Sequence, residues 1–330
     1  MRWLQAGVVT WESVAAIVAL CAGVALTVFG VGSVTTGMRQ SVRVVVGSLV
    51  VLASALGVWT FTPAVIATKV PPTAATQIDL AADGREVHFN TRDGVSLWAW
   101  YVPPPDGKTV IVRHGSGSTA SGVLAQAEVL VTNGYGVLMT DARGHGRSDG
   151  TAMDFGWYGE ADIRAALDFL TDQPEVDPTR IGVLGMSMGG EEAIGAAGSD
   201  DRIAAVVAEG ATARTDADKT WLIDEYGWRG WIQVRLEWLQ YGLTDLLTGA
   251  SKPPTLATLA RLADPTPILM ITGGARPDEG RAADHIQAAS PGNVSVWTVP
   301  GAGHVGGLAG SPDQWEQTVI DFLDDALQQN

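Results

Sequence analysis

The chain has 330 residues, a mass of 34.5 kDa and a formal net charge of −15, which leaves room for one large domain and an additional segment. Beyond Thr68 it carries 18 basic and 35 acidic residues, a balance that argues against nucleic acid as a partner and against electrostatic docking on anionic lipid. Its single cysteine, Cys21, excludes an intrachain disulfide and a cysteine metal cluster, and it lies too early to be a nucleophile of the folded domain.

The additional segment comes first. Ser13 to Met38 is uncharged for about 26 positions, and Val44 to Thr68 for about 25, against the roughly 20 that a membrane-spanning helix needs. A cleaved leader would explain one such run but not two. Residues 1–69 are therefore expected to form a membrane anchor of two transmembrane helices. Arg39 and Arg43 would lie in the short connection, which the positive-inside rule places in the cytoplasm. Everything after Lys69 would then be extracytoplasmic, although Arg2 and Lys69 pull the other way. Residues 70–85, opening Val70-Pro71-Pro72-Thr73, read as an extended linker, and residues 86–330 as a folded domain.

Within that domain Glu86–Asn90 and Val95–Val102 alternate as strands around an Asp93-Gly94 turn, and Thr109–Arg113 is a short apolar strand of the fully buried kind. It runs into His114-Gly115-Ser116-Gly117, a loop able to aim backbone N–H groups at an anion. After a helix near Gly122–Thr132 and the strand Tyr135–Thr140 comes Asp141–Gly150, dense in charge and glycine. His145 and Asp149 there look catalytic, but arginine and carboxylate so close together more often brace neighbouring loops. Helix Gly159–Thr171, strand Ile181–Leu184, a helix after Ser187 and strand Ile203–Ala208 continue an alternation that argues for a mostly parallel sheet covered on both faces. Residues 211–264 break the pattern with Trp221, Tyr226, Trp228, Trp231, Trp238 and Tyr241, and suggest a helical lid whose aromatic face lines an apolar pocket. Strand Pro267–Thr272, helix Gly280–Ala289, strand Val294–Val299 and helix Trp315–Gln328 complete the chain.

Gly185-Met186-Ser187-Met188-Gly189 joins a buried strand to a helix. Glycine two residues either side of the serine removes the collisions of a sharp turn and tolerates strained dihedrals. Such a turn would expose Ser187 Oγ at a helix N-terminus, where the amides of Met188 and Ser116 could hold an oxyanion. His304, on the glycine-rich loop after the last strand, is placed to reach the serine.

Ser187, a carboxylate near Asp278, and His304 thus occur in the order Ser, acid, His. With His114–Gly117 and Asp141–Gly150, the chain from about Glu86 resembles the α/β-hydrolase fold family. The resemblance implies an eight-stranded, mostly parallel sheet and a triad in which Ser187 attacks a carbonyl, His304 moves the proton and the acid orients the imidazole. It implies neither cofactor nor metal. The acid loop departs from the family pattern, since Arg276 and Pro277 stand where an aspartate is usual. Asp278 is the first choice, Glu279 the alternative and Glu209 a distant third. Glu191-Glu192 also departs from the usual small apolar residues, and would either complement the helix N-terminus or select a cationic substrate. The activity expected is carboxylic-ester hydrolysis of a small-molecule or lipid ester with an apolar acyl group. A peptidase or amidase, and a non-catalytic membrane-anchored binding protein, are the alternatives.

Overall fold

The computed structural model describes residues 23, 29–30, 36–71, 73–81 and 83–328. The chain divides into two units, Met1–Pro63 and Ala64–Asn330. The two-helix anchor is corrected to a single candidate span. Among the described residues only α1 (Gln40–Thr68, 29 residues) is long and apolar enough to cross a bilayer. The helix begins before Arg43, so that residue lies within α1 and not in a connecting loop. The first apolar stretch, Ser13–Met38 with Cys21, falls largely outside the described residues. The multi-pass location and the sidedness argued from its loop charges fall with the second span.

The second unit is built on one sheet of eight strands in the order β1-β2-β4-β3-β5-β6-β7-β8. These are β1 (Arg85–Asn90), β2 (Ser96–Val102), β3 (Thr109–Arg113), β4 (Gly136–Thr140), β5 (Ile181–Met186), β6 (Ile203–Glu209), β7 (Ile268–Gly273) and β8 (Val294–Val299). Only the β1–β2 and β2–β4 pairs are antiparallel; all others run parallel. Every residue of β3, β4, β5 and β7 is buried, as expected for strands covered on both faces. One face packs against α3 (Gly159–Thr171), α4 (Met188–Ala197), α7 (Leu256–Leu262) and α8 (Pro277–Ala289) through Leu167, Ile194, Leu259 and Ile286. The other packs against α2 (Leu124–Thr132) and α9 (Pro312–Ala326) through Leu130, Trp315, Val319 and Leu323. The insertion contributes α5 (Trp221–Tyr226) and α6 (Trp228–Leu247).

The stretch after α1 packs on the sheet. Val70 N–H donates to the Thr151 carbonyl (2.7 Å), Met153 N–H to the Ala67 carbonyl (2.9 Å), and Ile78 and Leu80 are buried. The loops that follow β3, β5, β6, β7 and β8 all leave the carboxyl ends of parallel strands, the edge at which such sheets collect their functional groups.

Candidate active site

Ser187 caps α4 with φ 53° and ψ −117°, a strained conformation for a residue with a side chain. Its amide donates to the Glu209 carbonyl (2.7 Å), which ties the turn to the end of β6. The glycines make this turn possible. A Cβ at Gly185 would lie 2.1 Å from the Gly189 carbonyl oxygen, and one at Gly189 would lie 2.7 Å from the carbonyls of Arg113 and His114. Close packing of α4 against the loop after β3 therefore depends on Gly189.

His304 Nε2 lies 2.9 Å from Ser187 Oγ, and its Nδ1 lies 2.6 Å from Glu279 Oε1. A carboxylate can only accept, so Nδ1 carries the proton and Nε2 faces the hydroxyl as acceptor. The second Glu279 oxygen accepts from Gly273 N–H (3.1 Å). Burial pushes this carboxyl up, but the bonds from His304 and Gly273 outweigh it and hold it below its ordinary value. Asp278 is not brought to the histidine. Its side chain is 62% exposed and accepts from the Tyr226 hydroxyl (2.5 Å), with Arg281 at 3.5 Å. Glu209 is buried beneath the histidine loop and accepts from Gly307 N–H (2.7 Å) and the Trp315 indole (2.9 Å). The sequence marks Glu209 only as a carboxylate closing an apolar strand, not as the brace it forms here.

Met188 N–H is the first of α4, where no intrahelical acceptor is available, and Ser116 follows Gly115, whose Cα abuts the elbow. A Cβ there would sit 3.2 Å from Ser187 Cβ. The charged loop braces this region. Gly117 N–H donates to His145 Nε2 (3.2 Å), Ala142 N–H donates to His114 Nε2 (2.9 Å), and Ala120 N–H donates to Asp141 Oδ1 (2.7 Å). Both imidazoles thus hold their proton on Nδ1, toward the carbonyls of Arg143 and Gly115 respectively. Burial lowers the pKa of each. His145 is occupied as a strut.

Glu191 and Glu192 face inward. Glu191 accepts from the amides of Thr212 and Ala213, both at 3.0 Å. Glu192 pairs with Arg113 at 2.6 Å, and Arg113 also lies 3.6 Å from Asp162. Burial pushes Glu192 up to about 7 against the pull of Arg113. Both carboxylates are buried, and together they lock α4 to β3 and to the start of the insertion.

A cavity of about 690 Å³ adjoins His304 and Glu279, walled by Leu222 and Tyr226 of α5, Gln233 of α6 and Arg276. The expected aromatic lining is corrected here. Trp221 and Tyr226 line this cavity, whereas Trp228, Trp231 and Trp238 are exposed. No group of three or more His, Cys, Asp or Glu able to hold a metal occurs among the described residues.

The family model described as serine aminopeptidase, S33, matches residues 104–260. The esterase Pf2001 of Pyrococcus furiosus superposes with a TM-score of 0.61 at 24% identity, over 78% of this chain and 98% of that one. The chain has the α/β-hydrolase fold. An uncharacterized protein of Mycobacterium tuberculosis is 38% identical over 117 residues, 34% of this chain and 41% of its own. The thiohydrolase aneE of Aspergillus aculeatus is 34% identical over 131 residues, 37% of this chain and 40% of its own. The chain thus spans about two fifths of the length of these curated relatives.

Proposed function

We propose that this α/β hydrolase cleaves carboxylic esters through an acyl-enzyme, with Ser187 as nucleophile, His304 as general base and acid, and Glu279 as the orienting carboxylate. The observation that carries the reading is the continuous chain of hydrogen bonds from Glu279 through His304 to a strained Ser187. Ser187 Oγ attacks the carbonyl carbon as His304 Nε2 takes its proton. The negative charge that develops on the carbonyl oxygen is held by the amides of Met188 and Ser116. Collapse expels the leaving group, which takes the proton from His304, and water then repeats the sequence on the acyl-enzyme. Glu279 stays ionised throughout and stabilises the imidazolium.

The family model's description favours a second reading, a peptidase or amidase, because the same groups serve an amide nitrogen as leaving group. A fluorophosphonate probe tests the first step. Labelling is expected in the wild type and lost in Ser187→Ala and His304→Ala, both folded by circular dichroism. Absence of labelling in the folded wild type would overturn the enzyme reading in favour of a binding protein. Rates on an ester, a thioester and an anilide sharing one acyl group then rank the leaving groups; an anilide matching the ester would favour the amidase.

A further inference from the structure

Helix α6 is turned inside out. Its inward stripe is Gly230, Val234, Glu237, Tyr241 and Thr244, all buried, spaced as one helical face. Glu237 there meets Lys219 at 2.7 Å, and Tyr241 packs on Phe155 with ring centroids 4.8 Å apart. Gly230 lets α5 and α6 touch, since a Cβ there would lie 1.8 Å from the Leu222 carbonyl oxygen. The outward stripe is apolar. Trp228 is 71% exposed, Trp231 50%, Trp238 52% and Leu246 82%. Arg235 lies among them, its guanidinium 5.6 Å from the centre of the Trp231 ring.

A contiguous apolar face of this kind on one helix marks a surface that is covered in use, and its composition indicates by what. Indole rings interleaved with an arginine suit the boundary between lipid headgroups and acyl chains, where an amphipathic ring has one apolar and one wet side. The chain supplies its own reason to be there. α1 is long and apolar enough to cross a bilayer, and a chain anchored in that way works at a bilayer surface. We propose that the outward face of α6 lies in the interfacial region of the bilayer crossed by α1, inserting Trp228, Trp231, Trp238 and Leu246. Because the domain is strongly acidic, the contact is driven by apolar area and not by attraction to anionic headgroups. The inference does not depend on the chemistry of Ser187. It does bear on substrate access, since Tyr226 and Gln233 on the same helix pair wall the cavity.

The test uses the full chain in phosphatidylcholine vesicles, with Cys21→Ser and a nitroxide on one introduced cysteine at a time. Trp231→Cys, Trp238→Cys and Leu246→Cys report the face, and Glu128→Cys, exposed on α2, serves as reference. All are surface positions, and circular dichroism checks that each variant folds. The labels on α6 are expected to lose most of their accessibility to a water-soluble nickel chelate and to gain accessibility to oxygen, relative to the reference. Equal accessibility at all four positions would overturn the proposal. So would spin–spin broadening at the α6 positions that disappears on dilution with unlabelled chain, because it would assign this face to a contact between copies.

Discussion

The turn behind Ser187 and the helix that walls the cavity solve opposite packing problems. Behind the serine, charge is inside: Arg113, Glu192, Asp162, Arg143 and Glu191 are all buried, and each has a partner. On α6, apolar area is outside, while a glutamate and a threonine face in. Buried charges tolerate little displacement, because an unpaired one in a low-dielectric interior costs several kcal/mol. They fix α4, and with it the serine, in one geometry. The outer face of α6 constrains nothing within the domain and is free to serve an external surface. On the proposed reading, chemistry rests on the half held by buried charges and membrane contact on the half that turns apolar area outward.

The largest expected effect separates two neighbouring carboxylates on the rigid side. Glu279→Gln should lower kcat/KM about 10²- to 10⁴-fold, since it removes the charge that orients and stabilises the imidazolium. Asp278→Asn should change it by no more than about threefold, within the scatter for an exposed site. Steady-state ester hydrolysis distinguishes them, and a reversal would return the acid role to Asp278. Glu279 also carries a sign for stability. A carboxyl held below its unfolded value contributes stability that is full above that value and is lost as pH falls through the lowered one. The Tm difference between wild type and Glu279→Gln should therefore shrink below the ordinary carboxylate value of 4.5 and not near neutrality.

The next effect tests the buried ions. Arg113→Met strands Glu192, while Asp162 keeps Arg143 at 2.7 Å, and should cost about 3–5 kcal/mol in denaturant unfolding. Arg113→Met with Glu192→Met should recover part of that loss, giving a coupling well above the additive expectation. Burial already pushes Glu192 up to about 7 against the pull of Arg113, and losing that guanidinium raises it further. Protonation then relieves the stranded charge, so the cost of Arg113→Met should grow as pH rises from 5 to 8. A pH-independent loss would mean that Arg113 acts through packing alone.

Much of this architecture is legible in the sequence because local sterics dictate it. Runs such as Val110-Ile111-Val112 and Ile268-Leu269-Met270-Ile271 can only be strands buried on both faces, and Gly185 and Gly189 are explained by contacts a Cβ could not make. The carboxylate that meets His304 is legible only to within one residue. Pro277 starts α8, so Asp278 and Glu279 are successive helical positions, about 100° apart around the axis. Which of them turns inward is set by how α8 docks on β7, a tertiary fact with no local signature. The insertion shows the same limit on a larger scale. Periodicity reveals that Trp231 and Trp238 share a face of α6 but not which neighbour that face meets. The sign of Glu191-Glu192 was hidden likewise, because their partners Arg113 and Thr212 lie on other elements.

The smallest expected effect is on the outer side of α6. Truncating a buried aromatic such as Trp315, fully enclosed and bonded to Glu209, should cost about 3–5 kcal/mol through lost transfer energy and cavity formation. Trp238→Ala removes a ring of the same size that is half in water, leaves no cavity and breaks no hydrogen bond needed by the domain. Its effect on detergent-solubilised protein should stay within about 0.5 kcal/mol. The same holds for Trp228→Ala, at the start of the outward stripe. Denaturant midpoints in detergent measure both, and an unchanged slope would show that native compactness is preserved. A loss of 2 kcal/mol or more would mean that the tryptophans support the domain from within, and the contrast between a rigid inner and an adaptable outer half would fail at this helix.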